Sequence, residues 1–102
     1  MTIDLDVDAG VLKVVAEPLR LRIVQLLAVE ELCVCHLAED LGVAQPLVSH
    51  HLRILRDAGL VATERYRYWT YYHLERERIA GLAAQLNELA APPPMTSRRP
   101  CC

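Results

Sequence analysis

No apolar run in this chain of 102 residues approaches the roughly 18 that a bilayer-spanning helix needs, although 53% of the residues are apolar. The start is acidic (Asp4, Asp6, Asp8) and lacks the basic, apolar pattern of a secretory leader, so the chain is expected in the cytoplasm with no membrane partner. There is no Cys-x-x-Cys, no glycine-rich phosphate loop, no convincing pairing of nucleophile with base and no internal repeat. An enzyme or a thiol-relay carrier would therefore lack its working parts. A positive balance is also missing: the formal charge is −2, which argues against a uniformly basic nucleic-acid binder.

The charge is uneven, however. Residues 1–47 carry 8 acidic and 3 basic side chains, and residues 48–102 carry 5 and 8, so cationic character gathers at Arg53, Arg56, Arg65, Arg67, Arg98 and Arg99. DNA contact by one face remains open. Four cysteines in a short chain suggest a disulfide scaffold only when the protein is exported and rich in loops. Neither holds here, which leaves thiolate ligands, redox chemistry or small buried hydrophobes.

Val11, Leu12 and Val15 mark a short helix over Asp8 to Ala16, weakened by Gly10. Pro18 suits a first helical turn, and Leu19, Ile23, Leu26 and Leu27 then recur on one stripe. A third pattern (Leu37, Leu41) ends at Gly42, and a fourth (Val48, Leu52, Leu55) follows Pro46 and ends at Gly59. That spacing predicts helix, glycine turn, helix. Val61 to Tyr66 and Tyr68 to Leu74 are rich in Val, Thr, Tyr and Trp and predict a hairpin. Ile79, Leu82, Leu86 and Leu89 form a narrow seam on a helix from about Glu75 to Ala90, suited to a helix of a second copy. A core this small also favours association. Residues 92–102, PPPMTSRRPCC, predict an exposed tail after a domain spanning 1–91.

A helix entering the major groove needs short polar or bidentate side chains outside and apolar ones inside. Gln45, Ser49, His50 and Arg53 supply the first set, with Val48, Leu52 and Leu55 pointing inward. Gln45 and Ser49 read equally well as capping residues near the helix start. Arg65 and Arg67 read as phosphate contacts or as a solvated charged turn. The neighbouring His50 and His51 diverge by about 100° on a helix and are unsuited to sharing a metal.

Cys33 and Cys35 form a Cys-x-Cys pair, whose thiolates select soft ions over magnesium or calcium; buried thiols are the plainer alternative. On a regular helix residues two apart point about 200° away from each other, so chelation by both is expected to unwind or tilt the helix start. His36 offers a nitrogen or is simply exposed on the first turn. Cys101 and Cys102 follow ten tail residues that span at most about 33 Å, or about 17 Å as a coil, enough to reach the pair in either subunit. They serve as a third thiolate, as incidental thiols or as a separate ion site.

The order helix, helix, helix-turn-helix, hairpin, helix is that of a winged helix-turn-helix domain, mainly α (α+β) in class. PLRLRIVQLL, ELCVCHLAEDLGVAQPLVSHHLRILRDAGLV and YWTYYHL, within residues 8–90, resemble the ArsR/SmtB family of bacterial metal-responsive repressors. The resemblance implies a homodimer joined through terminal helices, DNA contacts chiefly at Gln45, Ser49 and His50, and As(III), Sb(III), Cd(II) or Pb(II) held at Cys33 and Cys35. A third cysteine that can follow in arsenite-responsive relatives is Ala38 here, and the Asp and His of zinc-sensing relatives correspond approximately to Arg76 and Arg78. The hairpin tip lacks the family's usual glycine, with Arg67 or Tyr68 in its place. The expected function is an arsenic-responsive repressor that leaves operator DNA when the metalloid binds. The alternatives are a cadmium- or lead-responsive repressor, a thiol redox sensor, and a winged-helix interaction module without DNA.

Overall fold

The computed structural model describes residues 7–93 and 98–101. Its elements run α1 (Ala9–Val15), α2 (Pro18–Val29), α3 (Val34–Leu41), α4 (Gln45–Asp57), β1 (Val61–Tyr66), β2 (Trp69–Leu74) and α5 (Arg76–Ala90). This is the predicted order, with the helix boundaries drawn in by a residue or two where caps take over. Asp8 caps α1 by accepting the Val11 N–H at 3.1 Å, and Glu17 caps α2 by accepting the Arg20 N–H at 2.9 Å. Among the described residues no helix is long and apolar enough to cross a membrane.

Glycine closes two helices. Gly42 (φ 67°) and Gly59 (φ 76°) adopt the left-handed conformation that ends a helix cheaply only without a Cβ, and their neighbours return to the helix: the Val43 N–H bonds to the Ala38 carbonyl and the Leu60 N–H to the Leu55 carbonyl. The first of these turns sets α3 against α4. Ile23 and Leu27 of α2, Leu37 of α3, Val48, Leu52 and Leu55 of α4, and Leu60 are fully buried. Each contributes about 1.5–3 kcal/mol of transfer free energy, and together they fix the face that α4 turns outward.

The strands pair antiparallel from Val61↔Leu74 to Tyr66↔Trp69, leaving Arg67 and Tyr68 as a two-residue turn. A third extended segment joins their outer edge, where Leu32 and Tyr72 exchange backbone hydrogen bonds of 3.2 and 2.8 Å. The α5 helix has no buried residue: Ile79 and Leu82 lean on the core, while Leu86 and Leu89 are exposed. The predicted seam is thus half used within one chain. Arg76 donates to the Ala28 carbonyl (3.2 Å) and Arg78 approaches Asp8 (4.0 Å), so both arginines at this end of α5 are engaged.

Arg67 holds φ at 57°, where a hairpin turn calls for glycine. Left-handed backbone costs an L-residue about 1–2 kcal/mol, partly offset by the chain entropy that glycine would lose on folding. Arg67→Gly is therefore expected to stabilise the domain by up to about 1 kcal/mol in urea unfolding. Loss of stability in this variant would show that the side chain contributes more than the turn strain costs.

Candidate DNA-reading face and thiolate site

On α4 the sequence separates two faces cleanly. Val48, Leu52 and Leu55 are buried, while Gln45, Ser49, Arg53 and Arg56 lie within about 80° of arc and are exposed, with His50 at the margin of the same face. Capping does not engage Gln45 or Ser49, because Ala44 is the N-cap and makes no side-chain bond. Among the described residues both side chains are free of intramolecular hydrogen bonds. Ser49, Leu52, Arg53, Arg56 and Asp57 border a groove of about 430 Å³ with Tyr72 of the wing, so the helix and hairpin share one surface. Arg65 and Arg67 stand at the far end of that hairpin, Arg65 donating to the Arg67 carbonyl (3.4 Å) and Arg67 lying over the Tyr66 ring (5.5 Å).

His51, next to the outward-facing His50, plays another part. Arg20 donates to its Nδ1 (3.1 Å) and to the Val14 carbonyl (2.7 Å), tying α4 to α2 and α1. Burial, with the neighbouring Arg20 and His50 charges, pushes the His51 pKa down against the opposing pull of Glu17, which lies 3.7 Å away. The imidazole therefore stays a neutral acceptor for Arg20 and braces the helix from behind.

The premise that Cys33 and Cys35 point apart on one regular helix does not hold. Cys33 is not helical but the N-cap, with extended backbone (φ −88°, ψ 168°), and Cys35 is on the first turn. An extended residue followed by a helical turn brings the two side chains together, and the Sγ atoms lie 2.9 Å apart without any unwinding. His36 completes the group: it is exposed, yet its Nδ1 sits 3.2 Å from Cys33 Sγ. Cys33, Cys35 and His36 thus offer two sulfurs and a nitrogen within 4.8 Å. The i,i+3 spacing from Cys33 to His36 was the signal for this proximity, visible only once Cys33 is known to be the cap. Cys101 is exposed and outside this group, and Cys102 lies outside the described residues.

Burial raises the Cys33 thiol, but the Cys35 S–H and the backbone N–H groups of the first turn favour its anion more strongly, so its pKa falls below the ordinary thiol value. Cys35 moves the opposite way, because it donates to Cys33, is partly desolvated and faces a neighbouring negative charge. The pair therefore ionises stepwise, Cys33 before Cys35. In a Cys101→Ser, Cys102→Ser variant, which leaves only this pair, thiolate absorbance is expected to rise in two separated steps with pH, the first below the range of a free cysteine; adding Cys35→Ala removes the donor and should shift the Cys33 step upward. A single step at the free-cysteine position in the two-cysteine variant would contradict this coupling.

Comparison with known proteins places both sites in context. The model of the family described as "Bacterial regulatory protein, arsR family" matches residues 17–63. An arsenic resistance transcriptional regulator of Pseudomonas putida is 44% identical over 66% of this chain, which spans about half (53%) of that relative's length. The crystal structure of a possible transcriptional regulator for arsenical resistance superposes with a TM-score of 0.72 at 36% identity, covering 81% of this chain and 86% of the other. The solution structure of a homodimeric winged helix-turn-helix DNA-binding domain from Mycobacterium bovis does so at 0.69 and 35%, covering 84% and 80%. The chain belongs to the arsR family and is a winged helix-turn-helix, DNA-binding transcriptional regulator, not a catalyst.

Proposed function

We propose that the chain is a homodimeric repressor that releases its operator when As(III) or Sb(III) is held by Cys33, Cys35 and a tail thiolate, Cys101 or Cys102. The observation that carries this reading is the convergence of the two sulfurs at the cap of α3, the helix packed beside the reading helix. The donor chemistry fits: thiolates favour thiophilic ions, and the tether keeps the tail sulfurs at about millimolar effective concentration. Two relatives carry arsenic or arsenical resistance in their names, in keeping with this inducer class. Leu86 and Leu89 on α5 supply an apolar strip for the second copy, as expected of a relative of a homodimeric domain.

Sulfurs 2.9 Å apart leave no room between them in their present rotamers, so Cys33 and Cys35 must spread to share an ion. Cys33 is buried and cannot move alone. Its carbonyl accepts the Leu37 N–H (3.1 Å) at the start of α3, which packs beside α4, and its neighbour Leu32 is bonded to the wing at Tyr72, so its displacement is felt by both. Both DNA-reading elements then shift, and linkage makes DNA and inducer oppose each other. Gln45, Ser49, His50 and Arg53 would meet base edges, and Arg65 and Arg67 the phosphates. His36 at 3.2 Å favours a second reading, in which the third donor is nitrogen and the inducer is Cd(II) or Pb(II).

The test is DNA affinity of the reduced protein on a duplex selected from random sequence, with arsenite or cadmium added. Arsenite should weaken binding tenfold or more, Cys33→Ser with Cys35→Ser should abolish the response, and Cys101→Ser with Cys102→Ser should blunt it at least tenfold. Affinity and thiolate absorbance unmoved by arsenite would overturn the proposal; release by cadmium alone, lost in His36→Ala, would establish the second reading. On the DNA side, Arg53→Ala should cost about 1–3 kcal/mol with altered sequence preference, and Arg65→Ala should weaken all duplexes alike and reduce the salt slope by about 1. Equal binding by both variants would remove α4 and the wing from the interface.

A further inference from the structure

The root of the wing gathers a second set of donors that contains no sulfur. Because Leu32 pairs with Tyr72, Glu31 comes alongside His73 on β2, and Glu64 on β1 lies one diagonal step across the ladder, opposite Tyr71. A carboxylate oxygen from each glutamate and a ring nitrogen of His73 lie within 4.8 Å of one another. Nothing in the linear order suggested this group, since its members come from three separate segments.

An independent observation concerns the imidazole. His73 Nε2 sits 3.2 Å from Glu75 Oε1 and donates its N–H there; in the neutral imidazole Nδ1 then carries a bare lone pair. That atom is shut off from solvent and has no hydrogen-bond partner among the described residues. Two carboxylates and a lone pair are all acceptors, so what satisfies them together is a cation. An imidazole oriented by a carboxylate through its other nitrogen is the usual support for a metal-binding histidine. A cavity of about 300 Å³, lined by Glu31, Glu64, Tyr66 and Tyr71, opens beside the two glutamates, and an ion entering there reaches Nδ1 only as the His73 ring turns toward it.

We propose that Glu31, Glu64 and His73 form a second cation site, taking a divalent metal of the zinc class through two carboxylates and Nδ1, with Glu75 as the positioning residue. Oxygen and nitrogen donors suit such a metal and discriminate against a metalloid that demands thiolates, so the metalloid does not compete for this site. Occupancy pins residue 31 to the wing two positions before Cys33, stiffening the segment that must move when the cysteines spread. That coupling rests on the proposed regulatory role of the cysteines; the binding itself does not.

Zinc(II) is titrated by calorimetry into the full chain carrying Cys33→Ser, Cys35→Ser, Cys101→Ser and Cys102→Ser, with folding checked by circular dichroism. One zinc per chain is expected, with affinity lowered tenfold or more by Glu64→Gln or His73→Asn and about tenfold by Glu75→Gln. Histidine-selective ¹⁵N spectra of the unsubstituted chain provide a second readout that survives if the cysteine-free variant does not fold: zinc should move the His73 Nδ1 resonance while Nε2 stays protonated. A folded cysteine-free chain that binds no zinc, affinity indifferent to Glu31→Gln and Glu64→Gln, or a zinc response at Nε2 or at neither nitrogen would overturn the site. Because sulfur is absent from the calorimetric arm, failure there leaves the thiolate reading untouched, and failure of the arsenite response leaves this one standing.

Discussion

Two backbone hydrogen bonds between Leu32 and Tyr72 hold residues 31–33 extended against the wing, and the arrangement of both candidate sites depends on that constraint. Extension at Cys33 makes it the cap of α3 instead of its first turn, which turns its sulfur toward Cys35 and His36. The same pairing lays Glu31 beside His73. A helical residue 33 would point its sulfur away from Cys35, and an unpaired residue 32 would leave Glu31 in solvent with no neighbour to meet.

The same constraint connects the thiolate cluster to α4 and the wing. The segment is bonded on one side to β2 and runs directly into α3, which packs against α4 through Leu37 and Ala38. Close-packed side chains transmit a displacement instead of absorbing it. A change at Cys33 therefore has two rigid neighbours to act on, one carrying the exposed arc of Gln45, Ser49 and Arg53 and the other ending in Arg65 and Arg67. The Arg20 and His51 contact ties α4 to α2 from the opposite side.

Much of this was legible in the chain. The stripes of α2 and α4, the glycines that close α3 and α4, the β-rich hairpin and the seam of α5 are local patterns, and local patterns follow from backbone geometry and the need to bury one face. The strained turn at Arg67 was foreshadowed by the missing glycine at the tip. His36 was harder, since its reach to Cys33 depends on where the helix begins, and boundaries are set by caps that a periodicity does not resolve.

The sequence by itself determined the winged helix-turn-helix order, the outward residues of α4 and the presence of soft sulfur donors at positions 33 and 35, because each is a matter of spacing along one element. Only the tertiary structure decided that the two sulfurs converge without unwinding α3, that His51 braces and His50 does not, and that Glu31, Glu64 and His73 meet at the wing root. Those outcomes need residues far apart in the chain to be brought together, and the distance between them is set by packing and strand register, which no single segment encodes.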